Sequence, residues 1–127
     1  MRRIVLDIHN VLFSDSIRKA LNRYGSDFDV TISEKPDQTV MLCNITQPYA
    51  LVMEVTGYET WSLPKRLELR KTVLENSPQS KIVILVDENS EEKLAEDVKQ
   101  LKKDGLIDQF IFASISTTYL AALIDTL

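Results

Sequence analysis

Three apolar runs in this chain end in acid. Arg3-Ile4-Val5-Leu6 leads to Asp7, Tyr49-Ala50-Leu51-Val52-Met53 leads to Glu54, and Lys81-Ile82-Val83-Ile84-Leu85-Val86 leads to Asp87 and Glu88. Carboxylates are hard oxygen donors, so Asp7, Glu54 and Asp87 gathered at one edge would suit a divalent cation, Mg²⁺ or Ca²⁺, with water completing its shell. Asp7 and Glu54 are the main candidates, for weak binding at most. The plainer expectation is an ordinary solvated acid, with Glu54 capping a neighbouring loop amide, because acids are mostly exposed. His9 is a candidate ligand or base. A single histidine beside a helix start is more often a surface or capping residue.

Hydrophobic spacing predicts the elements that must position these acids. The run from Tyr49 to Val55 reads as the central strand of a parallel sheet, because strands buried on both faces are continuously aliphatic. The runs before Asp7 and Asp87 read as strands too. Phe28 to Ser33 alternates apolar with polar and suits a sheet edge with one face in solvent. Gln109 to Ala113 is the fifth strand.

Amphipathic segments separate the strands. The first runs from about Val11 to Tyr24 and ends at Gly25, a residue free to take positive φ. The second opens at Pro36-Asp37 and runs through about Ile45, with Cys43 in the core. The third begins near Pro64, carries Leu67, Leu69, Val73 and Leu74, and stops at Asn76-Ser77-Pro78. The fourth starts around Asn89-Ser90-Glu91-Glu92, carries Leu94, Val98 and Leu101, and ends at Gly105. Ser116 or Thr117 caps the fifth, with Leu120, Leu123 and Ile124 on one side. Five strands alternating with five helices predict an α/β fold, a doubly wound three-layer sandwich of flavodoxin-like strand order 2-1-3-4-5. In such sheets the functional crevice lies beyond the carboxyl ends of the strands, where the acids fall.

Composition narrows the function classes. A chain of 127 residues, 44% hydrophobic and 27% charged, predicts one domain spanning 1–127. There is no apolar run of the roughly 20 residues that span a bilayer. A net charge of −4 without a basic block argues against direct nucleic-acid binding. One cysteine excludes an internal disulfide, and the polar start at residues 1–4 lacks the apolar core of a signal peptide, so a cytoplasmic location is expected. The turn His9-Asn10-Val11-Leu12-Phe13 has too little Gly, Ser and Thr to cradle the phosphate of a flavin nucleotide.

Over its whole length the pattern resembles the receiver domain of bacterial two-component response regulators. The places that carry the resemblance are Asp7-Ile8 within Leu6-Asp7-Ile8-His9-Asn10, Glu54 within Leu51-Val52-Met53-Glu54-Val55, Val86, and Ala113 followed by Ser114. The resemblance implies that Glu54 stands at the phospho-acceptor position and Asp7 at one of a pair of metal-side acids. Ile8 stands where the second acid belongs, Val86 where a Thr or Ser belongs, and Ala113 where a Lys belongs. Phosphoryl transfer rests on positioning and charge neutralisation, so these losses imply a degenerate pseudo-receiver that is not an enzyme and needs no cofactor.

The expected function is signal transduction by protein–protein interaction, with a sensor kinase, an output domain or a second copy as partner. The alternative is a working phosphorelay receiver that uses Mg²⁺ at Glu54 or Asp87. Glu54 would be either a solvated acid or a permanent mimic of the phosphorylated state. Phe110, at the family's aromatic switch position, is expected to be simple core packing. Tyr58, Trp61 and Leu63, close together after the central strand, would form a partner patch or lid the core.

Overall fold

Every long aliphatic run forms a strand buried on both faces. A computed structural model describes residues 1–25, 27–86 and 92–127. The strands are β1 (Arg2–Asp7), β2 (Phe28–Ile32), β3 (Ala50–Val55), β4 (Lys81–Val86) and β5 (Gln109–Phe112). The helices are α1 (Val11–Tyr24), α2 (Pro36–Thr46), α3 (Leu63–Asn76), α4 (Glu92–Lys103) and α5 (Thr117–Asp125), and a 3₁₀ turn, Glu59–Trp61, precedes α3. All four strand pairings are parallel and the order is β2-β1-β3-β4-β5, as predicted.

The pleat divides the core in two. Ile4, Leu6, Ala50, Val52, Val83 and Leu85 pack on one face under Ile17 and Leu21 of α1 and Leu120 and Ile124 of α5. Val5, Leu51, Met53, Ile82 and Ile84 pack on the other under Cys43 of α2, Val73 of α3 and Val98 of α4. Successive residues of a strand point to opposite faces, so one unbroken aliphatic run serves both layers. The half-polar β2 lies at one sheet edge, where its alternation fits.

Helix ends follow the sequence signals with one exception. Asn10 caps α1 by accepting from the Phe13 amide at 3.0 Å, and Ser116 caps α5 by accepting from Tyr119 at 3.1 Å. Gly25 does not take positive φ as expected. Its φ is −151°, and the chain leaves α1 extended, with the Gly25 amide on the Leu21 carbonyl. Space is the relevant constraint there: a Cβ on Gly25 would sit 3.2 Å from Asp27 Oδ1, and Arg2 holds that carboxylate. Positive φ occurs at Gly105 (77°) and at Gln47 (47°), which ends α2. The expected helix start at Asn89 to Glu91 lies outside the described residues.

Cys43 is fully buried, and loss of water around the thiolate pushes its pKa up to about 12. Its thiol should therefore resist a disulfide-exchange reagent at neutral pH in the native chain. Titration with Ellman's reagent in increasing urea should show the thiol reacting only as the fold is lost; fast reaction without urea would contradict this packing.

Candidate functional site

The two acids expected to meet leave the sheet on opposite faces. Asp7 pairs in register with Met53, so its side chain joins the layer beneath α2 and α3. Glu54 is one residue further along β3 and shares its face with Val52 and with Ile8, beneath α1. A single-residue step thus separates the carboxylates by the thickness of the strand. The place facing Glu54 is held by Ile8, 7% exposed and part of the apolar core.

Asp7 is occupied by a residue that strand-end reasoning did not single out. Arg66 of α3 is 1% exposed, and its guanidinium grips the Asp7 carboxylate with Nη1 to Oδ2 at 2.6 Å and Nη2 to Oδ1 at 3.2 Å. The same group donates from Nη2 to the Asp7 carbonyl at 3.0 Å and from Nε to the Glu54 carbonyl at 2.8 Å. It therefore ties the carboxyl ends of β1 and β3 together. Thr39 of α2 completes the acid's shell, donating from Oγ1 to Oδ2 at 2.6 Å. Ser33 lies 2.7 Å from Thr39 and passes its own proton to it or to the Lys35 carbonyl at 2.8 Å. Arg66, Asp7, Thr39 and Ser33 are all buried.

Helical period explains why Arg66 lies inside. It is three residues before Leu69 and seven before Val73, on the stripe that α3 turns to the sheet. That position is the available signal in the sequence: a cation on an apolar stripe, one loop away from strand-end acids.

Glu54 caps loop amides, as the plainer expectation had it, but it is not the solvated acid expected: the packing of Ile8 and the β1–α1 turn over it buries the carboxylate. It is 9% exposed, and its Oε1 accepts from the His9 amide at 2.8 Å and the Asn10 amide at 3.4 Å. The acid holds the β1–α1 turn, and that turn delivers Asn10 to cap α1. The His9 ring lies at the surface against Trp61 and Tyr58, with centroids 4.4 and 5.6 Å away. Bonds from Trp61 N–H to the Tyr58 carbonyl and from Thr56 N–H to the Trp61 carbonyl close the turn after β3. Of the three large residues there, Leu63 packs on the core beneath α3 while Tyr58 is 65% exposed.

The remaining places lie along β4 and β5. Val86 is buried and accepts from the Ala113 amide at 2.8 Å, which extends the ladder. Ala113 brings no cation. Phe110 is half-buried, meets Phe112 edge-on at 6.0 Å, and packs on the core beside α4, with Lys102 Nζ 5.9 Å from its ring. Asp87 lies outside the described residues.

These donors do not fit a divalent cation. Both Asp7 oxygens already face a guanidinium, Glu54 Oε1 faces backbone amides, and Ile8 offers no oxygen. Among the described residues no three His, Cys, Asp or Glu side chains group as a metal site. Also among them, no helix is long and apolar enough to cross a membrane.

No protein-family model and no curated protein matches this sequence. Solved structures do match it. The chain is similar to a DNA-binding response regulator of the LuxR family from Staphylococcus aureus, with TM-score 0.77 and 11% identity over 99% of this chain and 98% of that one. It is similar to a response regulator from Desulfuromonas acetoxidans, with TM-score 0.76 and 17% identity over 99% and 95%. A response regulator receiver domain protein from Methanospirillum hungatei gives TM-score 0.76 and 14% identity over 99% and 92%. The fold of this chain is that of receiver domains.

Breaking one side of the buried pair should be costly. Arg66→Met leaves Asp7 uncompensated and should destabilise the chain by about 3–5 kcal/mol, read from the midpoint of urea unfolding. Adding Asp7→Leu should recover most of that loss, because the unpaired charge goes with it. A single variant within about 0.5 kcal/mol of the parent would be the loss expected at a surface site and would refute the buried pair.

Proposed function

We propose that this receiver-fold chain is a signalling module that has given up phosphoryl chemistry and acts through protein–protein interaction in the cytoplasm. The observation that carries the reading is the Arg66–Asp7 pair. A working acceptor site needs an anion that draws in a metal and a cation that neutralises the phosphoryl oxygens. Here the anion and a cation cancel each other inside the protein, and Ile8, Val86 and Ala113 supply neither charge nor hydroxyl to replace them. Glu54 is held by two backbone amides, the role of a structural acid. The chain is then not an enzyme and takes no Mg²⁺. The receiver fold of its structural neighbours supports the signalling role, and a net charge of −4 supports a protein partner over nucleic acid. A sensor kinase, an output domain or a second copy fits this reading.

Incubation with acetyl phosphate and Mg²⁺, followed by intact-mass spectrometry at neutral pH, tests it. The folded chain should gain no phosphoryl mass, and Mg²⁺ should leave its thermal unfolding midpoint unchanged. An adduct that vanishes in Glu54→Gln would make Glu54 a true acceptor and overturn the reading.

A further inference from the structure

β2 is the outermost strand of the sheet and is paired on one side only. In its parallel ladder with β1, the Arg2 amide donates to the Asp27 carbonyl and the Ser33 amide donates to the Leu6 carbonyl. Backbone groups alternate in direction along a strand, so the ladder uses Asp27, Asp29, Thr31 and Ser33. The N–H and C=O groups of Phe28, Val30 and Ile32 therefore face outward. Among the described residues nothing in the chain bonds to them.

An open edge is a template for a further strand, and proteins usually blunt it with Lys, Pro or a bulge. β2 reads Phe28-Asp29-Val30-Thr31-Ile32 in unbroken register and has none of these. Its one charge, Asp29, lies 4.0 Å from Arg3 of β1. The other edge, β5, is only four residues long.

The β2 sequence is complementary to itself. A second β2 turned antiparallel about Val30 sets Val30 opposite Val30, Phe28 opposite Ile32 and Asp29 opposite Thr31. The outward residues then form the hydrogen-bonded pairs of an antiparallel ladder, each pair exchanging both bonds. Apolar meets apolar, and no carboxylate meets a carboxylate. Centring the pair on Asp29 would oppose two like charges, and centring it on Thr31 would leave Phe28 facing beyond the strand.

The flank of α2 on this side is apolar as well. Val40 borders the groove shared with Leu69 and Thr72 of α3, so Leu42, about 200° further round the helix, faces the β2 side. Met41 and Ile45 continue that surface, 57% and 69% exposed. From Gln38 to Thr46 α2 carries no charge. Two chains of net charge −4 repel each other, and a contact made by this strand and helix adds no like-charge pair to that repulsion. Homodimer interfaces are apolar at their centre and depleted in charge.

We propose that the β2 edge is the contact of a homodimer, in which two copies join antiparallel about Val30 into one continuous sheet. The second copy is one partner of the signalling reading, and the dimer rests on that reading only for its role. A phosphoryl adduct on Glu54 would sink the role and leave the dimer; a chain that stays monomeric would sink the dimer and leave the role to other partners.

Sedimentation velocity of the full chain from about 1 to 300 μM tests the contact. The mass should rise from 14.5 kDa toward twice that value, with a dissociation constant on the order of 10 μM, suited to a small interface. Thr31→Lys sets a cation opposite the partner's Asp29 and should tighten the dimer about threefold. Thr31→Asp sets a carboxylate there and should loosen it about tenfold. Val30→Pro removes the central outward donor while sparing the β1 ladder, and should leave a monomer. Circular dichroism verifies that each variant folds, and the Thr31 pair decides the matter if Val30→Pro does not. A monomer across the whole range, a dimer that survives in folded Val30→Pro, or a dissociation constant that the two Thr31 substitutions move alike would overturn the proposal.

Discussion

A guanidinium cannot leave water without company, and much of this structure follows from where Arg66 finds it. Burying an ion costs several kcal/mol unless a counter-charge and hydrogen bonds replace its hydration. Asp7 supplies the counter-charge, and the Asp7 and Glu54 carbonyls supply further acceptors. Those acceptors belong to β1 and β3, so α3 must cross the sheet where Arg66 can reach both strand ends. Thr39 then binds the remaining side of Asp7 and brings α2 into the same arrangement. Such a pair adds little net stability over well-packed apolar residues. Its effect is on position: two helices and two strands are set by one charged contact.

The pleat gives this contact its functional meaning. Asp7 and Glu54 lie at the same edge, yet one points beneath α3 and the other beneath α1. The first is spent on a cation inside the protein and the second on the amides of the β1–α1 turn. The edge's two strand-end acids are thus both engaged within the protein. What it turns outward instead is apolar and aromatic: Val11, Leu12 and Tyr58 at the surface, and Trp61 in tilted contact with His9.

Strand positions, strand order and helix faces were legible because they rest on periodicity, a property of the local sequence. The aliphatic runs predicted β1, β3 and β4, and the alternation of Phe28 to Ser33 predicted an edge. Capping by Asn10 went unpredicted, although its residue type at the head of a helical pattern allows it. Gly25 misled because a glycine after a helix has two uses, positive φ and absence of a side chain, and only the path into β2 chooses between them. Arg66 was concealed among Lys65, Glu68, Arg70 and Lys71, since a charged residue on a surface helix ordinarily faces water.

By itself the sequence determined the layer architecture, the carboxyl edge as the place of interest, and the apolar residue types Ala113, Val86 and Ile8 along that edge. Each is a matter of residue type or of spacing along the chain. Only the tertiary structure decided that Asp7 and Glu54 face apart, that Arg66 closes over Asp7, and that Glu54 turns to the His9 and Asn10 amides. Those outcomes depend on which residue of one element meets which residue of another. Contacts of that kind join residues 59 positions apart, as in Arg66 and Asp7, and no local pattern encodes them.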